Sequence, residues 1–176
     1  MRIWSVIVLC LLLLASVLVL PVPSLALDYG KHANLSNAPA SFRGESVSDA
    51  SGCCAAMAGD VNGDGFDDIL IGSPGNDDSG ADAGQAYLIL GKATGWSKNV
   101  DLSNADASFL GERANDNAGL SVAGAGDVNG DGFDDLLIGA SQNDDGGSNA
   151  GQTYLVLGKA TGWAMNTGLA TANASF

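Results

Sequence analysis

Two nine-residue stretches of this chain carry the residue types and spacing of a site for a hard cation. Asp60-Val-Asn-Gly-Asp-Gly-Phe-Asp-Asp68 puts oxygen side chains at its first, third, fifth and ninth positions: Asp60, Asn62, Asp64 and Asp68. The backbone carbonyl of Phe66, at position seven, adds a further donor. Alternate residues of a sharply turning chain direct their oxygens to one centre, and a glycine at position six, Gly65, lets the turn close. Oxygen donors, three of them charged, suit Ca²⁺ with its large and flexible shell, which water could complete. Mg²⁺ sheds its own water reluctantly and suits the set less well. The stretch recurs unchanged as Asp127–Asp135, offering Asp127, Asn129, Asp131, the Phe133 carbonyl and Asp135. The expectation is therefore two Ca²⁺ ions, one per loop. Asp67 and Asp134, at position eight, should point away from the ion as solvated or turn-capping carboxylates.

The start of this pattern is shared with the EF-hand, but the rest is not. An EF-hand needs a bidentate Glu at position twelve and a flanking helix on each side. Ile71 and Ile138 occupy that position, and short apolar runs follow each loop. No reaction centre is legible elsewhere. His32 is the single histidine and has no counterpart one repeat later, so it reads as a surface residue. Gly119-Leu-Ser-Val-Ala123 lacks the closing glycine of a nucleophile elbow. Asp77-Asp78 and Asp144-Asp145 read as solvated loop tips rather than an acid pair or second cation site. Trp96 and Trp163 read as structural plugs rather than sugar-stacking platforms.

The elements that must position these loops follow from an internal repeat. Gly59–Asp68 returns identically as Gly126–Asp135, a shift of 67 residues. The same shift carries Leu35-Ser-Asn-Ala38 onto Leu102–Ala105, and Gly91-Lys-Ala-Thr-Gly-Trp96 onto Gly158–Trp163. Leu169, Ala172, Ala174, Ser175 and Phe176 continue it. The organisation expected is a signal segment at 1–26, a lead-in at 27–34, repeats at 35–101 and 102–168, and the opening of a truncated third at 169–176. Asp68–Gly72, Asp135–Gly139, Ala86–Leu90 and Thr153–Leu157 are apolar runs too short for helices and bounded by Gly and Asp. Their continuous apolarity implies burial on both faces. Further strands are expected at Cys53–Met57 and Leu120–Gly124, and at Ser41–Gly44 and Ser108–Gly111. The pair Cys53-Cys54 reads as small buried side chains. Four short strands per repeat, all-β, is the content of a β-propeller blade.

With these residues in view, Ala118–Ala140 resembles the FG-GAP repeat of integrin α-chain β-propellers and their bacterial relatives, and Gly151–Gly158 resembles the next strand of such a blade. The resemblance runs from about Leu35 to the end. The Phe-Gly pair that names the repeat stands here as Ser51-Gly52 and Ala118-Gly119, and the Gly-Ala-Pro triplet as Gly72-Ser-Pro74 and Gly139-Ala-Ser141. It implies four-stranded antiparallel blades, a structural Ca²⁺ in each loop and a platform for protein ligands. A propeller takes four or more blades, so two repeats and the start of a third read as an incomplete one. Self-association to complete a propeller is one expectation this raises.

Composition limits the remaining choices. Acids outnumber bases 20 to 7, for a formal charge of −13. Nucleic acid and anionic lipid are thereby excluded as partners, since both are held by Lys and Arg. Ile3–Leu20 is almost wholly apolar, follows Arg2, and precedes Pro21, Pro23 and Ser24-Leu-Ala26. That is the layout of a secretory signal cleaved after Ala26, with an uncleaved anchor as the alternative. The functional expectation is a secreted, non-catalytic adhesion or interaction module with an extracellular protein or glycan ligand, off the membrane after cleavage. An accessory domain of an extracellular hydrolase or lyase, and a surface array without a specific ligand, are the alternatives.

Overall fold

From Leu35 onward, short runs of β-branched and aromatic residues, each ended by Gly, Asp or Asn, leave no stretch long enough for a helix. In a computed structural model that describes residues 34–176, no α-helix occurs among them. Residues 1–33, with the expected signal segment, most of the lead-in and His32, lie outside the described residues. Ala38–Phe176 form one compact unit; of the other, Met1–Asn37, the described part is Asn34 and a 3₁₀ turn at Leu35–Asn37. The strands are β1 (Phe42–Arg43), β2 (Cys54–Gly59), β3 (Asp68–Ser73), β4 (Gln85–Ile89), β5 (Val100–Asp101), β6 (Ala107–Leu110), β7 (Ala118–Gly126), β8 (Asp135–Ala140), β9 (Gln152–Val156), β10 (Thr167–Gly168) and β11 (Ala174–Ser175). Further 3₁₀ turns cover Leu102–Asn104 and Leu169–Thr171.

All the strands but two assemble into two antiparallel blades; β1 and β5, Phe42 opposite Val100, form a separate two-stranded parallel pair, so the strand expected at Ser41–Gly44 joins neither blade. The first blade runs β2-β3-β4-β6, with β10 added parallel to β6 at the rim; the second runs β7-β8-β9-β11. The outer strand of each blade comes from the following repeat. β6 pairs with β4 (Ala86 opposite Phe109), and β11 pairs with β9 (Ala174 opposite Leu155). The segment read as the opening of a third repeat thus finishes the second blade. The 67-residue period measures the chain but does not cut it where blades end, because a period has no preferred starting phase.

The expected burial on both faces holds in the first blade. Every residue of β4 is buried, and Leu70 and Leu88 are wholly so. The matching β9 is half-buried except at Tyr154. The cause is position: β7 packs across the first blade, and among the described residues no strand packs in the same way across the second. The main core joins the two, from Leu70, Leu88 and Phe109 to Leu136, Ile138 and Tyr154. A smaller cluster gathers Ile71, Tyr87, Ile89 and Leu102.

Cys53 and Cys54 differ from expectation. Both are free thiols: Cys53 is exposed just ahead of β2, and Cys54, the first residue of β2, is half-buried, because β2 alternates in burial instead of being covered throughout. Cys54 Sγ donates to the Gly119 carbonyl at 2.9 Å, and burial, with Cys53 beside it, pushes its thiol up to about 11.

Candidate metal centre

Each loop is the connection from an inner strand to the next, β2 to β3 and β7 to β8. Asp60 opens the first and Asp68 is the first residue of β3, so strand pairing fixes both ends. Between them the chain turns through left-handed backbone at Gly65 (φ 88°), and at Gly132 (φ 92°) in the second loop. A side chain would strain that conformation.

The turn aims amides inward and wraps them on the first acid. Asp60 Oδ1 accepts from the amides of Gly63 (2.7 Å) and Asp64 (3.0 Å), and Oδ2 from Gly65 (2.8 Å). Asn62 Oδ1 accepts from the Asp64 amide at 3.0 Å, and its Nδ2 donates to Asp64 Oδ2 at 2.9 Å. Asp64 Oδ1 accepts from the Phe66 amide at 3.0 Å. The second loop repeats this bond for bond around Asp127, Asn129 and Asp131. The amides of Gly132, Gly130 and Asp131 hold the Asp127 carboxyl below the usual carboxylate range.

Asp68 sits deeper than the other donors. It is fully buried and accepts from the amides of Val61 (2.9 Å) and Gly91 (2.6 Å); Asp135 does the same with Val128 and Gly158. Burial raises the Asp68 carboxyl, and Asp64 and Asp60 add to the rise against the pull of the two amides. Among the described residues, no three acids, thiols or imidazoles already stand together as a metal cage. The donor set nevertheless fits a hard cation. Asp60 Oδ2 and both oxygens of Asp64 and Asp68 each accept a single N–H and so keep a second lone pair. Mutual repulsion of Asp60, Asp64 and Asp68 is a cost that a divalent ion among them offsets. Asp60, Asn62, Asp64, Asp68 and the Phe66 carbonyl would be the residues to hold it, with Asp127, Asn129, Asp131, Asp135 and the Phe133 carbonyl in the second loop.

Position eight has a role the sequence reading missed. Asp134 does point away from its own loop, but it reaches the other one. Its Oδ2 accepts the Asp60 amide at 2.9 Å, and its own amide donates to the Asp60 carbonyl at 3.1 Å. The Lys159 amide donates to the Val61 carbonyl at 2.9 Å, leaving Val61 wholly buried. The Phe133 ring lies over Gly63, where a Cβ would stand 2.7 Å from Cε1. The second loop is therefore bolted to the first. The signal available in the sequence was Gly59 and Gly63, small residues beside the ion positions that leave room for the Asp134 and Phe133 side chains.

The other singled-out residues serve the frame. Trp96 meets Phe42 edge-on at 6.4 Å and Trp163 meets Phe109 at 6.3 Å. Each indole N–H donates to a lysine carbonyl, and the same lysine's ammonium lies about 5 Å over the ring. Asp77 and Asp144 accept turn amides, from Asp82 and Asn149, while Arg113 pairs with Asp145.

Two four-stranded blades, with a repeated acidic loop between their first two strands, are β-propeller blades. The FG-GAP repeat family matches residues 55–89 and 118–156, and this chain carries FG-GAP repeats. It is similar to integrin alpha-6 of Gallus gallus, 33% identical over 125 residues that cover 69% of this chain and 10% of that one. Integrin alpha-IIb of Mus musculus is 32% identical over 126 residues, 69% of this chain and 12% of the relative. Integrin alpha-PS2 of Drosophila melanogaster is 32% identical over 108 residues, 58% and 7% respectively. The chain thus spans about a tenth of the length of these relatives.

Proposed function

We propose that this chain is a secreted, calcium-stabilised FG-GAP module that serves extracellular adhesion or interaction without catalysing a reaction. The observation that carries the reading is the pair of loops, identical in sequence and in their network of amides around Asp60 and Asp127. One Ca²⁺ per loop, held by the donors named above, would neutralise clustered carboxylates and stiffen the turn. Because Asp134 grips Asp60, stiffening the first loop also stiffens the joint between blades. Similarity to integrin alpha chains supports an extracellular protein or glycan as the ligand. Among the described residues no helix is long and apolar enough to cross a membrane. Export therefore rests on the apolar stretch Ile3–Leu20.

The test is thermal unfolding with Ca²⁺ and with EDTA. Free Ca²⁺ a hundredfold above its dissociation constant contributes about 2.7 kcal/mol per site. That corresponds to a melting point on the order of 5–10 °C higher per site. Asp64→Ala combined with Asp131→Ala should abolish the difference. A melt that ignores both Ca²⁺ and EDTA would remove the metal from the reading.

A further inference from the structure

The joint between the two blades is made of repeated residues, so each half of it occurs twice, once engaged and once open. On the second blade the joint presents Phe133, Asp134 and Gly158-Lys159. The first blade presents the same residues on its outward side as Phe66, Asp67 and Gly91-Lys92. There Phe66 is 41% exposed and Asp67 is exposed. The receiving half on the first blade is Gly59, Asp60, Val61 and Gly63; on the second it is Gly126, Asp127, Val128 and Gly130. Val61 is 0% exposed under the joint, and Val128 is 55% exposed. A Cβ on Gly59 or Gly63 would strike Asp134 or Phe133, whereas one on Gly126 or Gly130 would meet nothing within 4 Å. The open half continues into a shallow hollow of about 190 Å³ among Ser121, Val122, Ala123, Leu137, Gly139 and Thr153. In the closed joint the Gly119 carbonyl lies over Gly72, at the place that Gly139 holds in the second blade, and accepts from Cys54. Ser121 stands at Cys54's place and can donate in the same way to the carbonyl of Gly52, which stands at Gly119's place.

We propose that copies of this chain join head to tail, the Phe66–Asp67 face of one copy seating on the Val128 face of the next and reproducing the internal joint. The contact is heterologous, so it builds a ring where the rotation closes and a filament where it does not. The occupant is a second copy because the loop residues of both open halves, Phe66, Asp67 and Gly91-Lys92 on one and Gly126, Asp127, Val128 and Gly130 on the other, duplicate those of a joint already closed within the chain. This proposal rests on that joint and not on the cation. Several positions depart from the template: Ser121, Val122 and Thr153 line the open hollow where the first repeat has Cys54, Ala55 and Ala86. Gly124, which lies against the Met57 and Ala58 carbonyls in the closed joint, is replaced on the open face by Met57, 69% exposed. Met57 is therefore where the copies fit least well, and it sets the strength of the contact.

The test is the solution mass of the whole purified chain between about 1 and 100 µM, the range in which a contact of modest size is half-formed. The mass should rise with concentration. Val128→Asp, which spoils the receiving half, and Phe66→Ala with Asp67→Ala, which spoils the inserting half, should each remain monomeric. An equimolar mixture in which one variant keeps its receiving half and the other keeps its inserting half should form a heterodimer and nothing larger. Met57→Gly should associate at concentrations at least about tenfold lower than the parent chain. A parent chain that stays monomeric throughout overturns the proposal. So does association that Val128→Asp and the Phe66/Asp67 pair leave unchanged, which would place the contact elsewhere.

Discussion

Asp67 and Asp134 share a sequence context and differ in what they touch, which makes them a matched pair for weighing one hydrogen bond. Asp134 accepts a part-buried amide from the neighbouring blade; Asp67 stands in solvent. A charge-assisted bond of this kind contributes about 1–2 kcal/mol. Asp134→Ala should lower the melting temperature by on the order of 2–8 °C. Asp67→Ala, at the same dilute concentration, should change stability by less than about 0.5 kcal/mol. Equal losses would show that the inter-blade bond adds nothing. The sharp turn of each acidic loop was legible from spacing alone, because the glycine at position six permits the left-handed backbone found at Gly65 and Gly132. The function of position eight was not legible. It depends on which loop lies beside which, and a local motif holds no record of its neighbour.

At the scale of elements, the glycines of the inner strands record how closely the blades approach. Gly72 on β3 and Gly139 on β8 are equivalent in sequence. A Cβ on Gly72 would overlap the Gly119 carbonyl, a backbone atom that moves only if β7 moves with it. A Cβ on Gly139 would meet the Ser121 hydroxyl, which can rotate away. Gly72→Ala should cost about 3 kcal/mol, and Gly139→Ala less than about 1 kcal/mol, measured by denaturant unfolding of dilute protein. Similar costs for the two would mean that β7 does not press on β3 as described. The strands expected from short runs bounded by Gly and Asp were found to within a residue or two, whereas the two-residue strands β5 and β10 were not expected. Strand partners were not legible. Ser108–Gly111 reads as a strand of its own repeat, yet β6 pairs backward with β4, since pairing is decided by which edge lies open and not by the period. The exposure of Cys53 was missed because the strand expected from Cys53 begins one residue later, at Cys54, and β2 itself alternates in burial while β4 does not.

For the molecule as a whole, the consequence of borrowed outer strands is that its last residues are structural. β11 closes the second blade, and Leu169, 2% exposed, belongs to the main core. The Thr153 and Phe176 backbones exchange a pair of hydrogen bonds at 3.0 and 2.9 Å. A chain ending at Gly168 loses all of these. With a buried leucine alone worth about 2–5 kcal/mol, its melting point should fall by on the order of 5–15 °C, as calorimetry would register. An unchanged transition would show that β11 is ornamental to the second blade. The acidic excess also looks different at this scale: eight of the 20 acids lie in the two loops, so much of the charge is local to the ion positions and not spread over the surface.

Borrowing also imposes an order in time. When β4 has been synthesised, the partner for its outer edge does not yet exist; Leu90–Asp106 must be made before Ala107–Leu110 can arrive. At about 5–20 residues per second that wait is on the order of seconds. The newest blade of a growing chain is accordingly always one strand short, with an unpaired edge facing outward. Each repeat finishes the one before it, so synthesis halted midway leaves a nascent chain ready to take a strand from whatever molecule stands nearest.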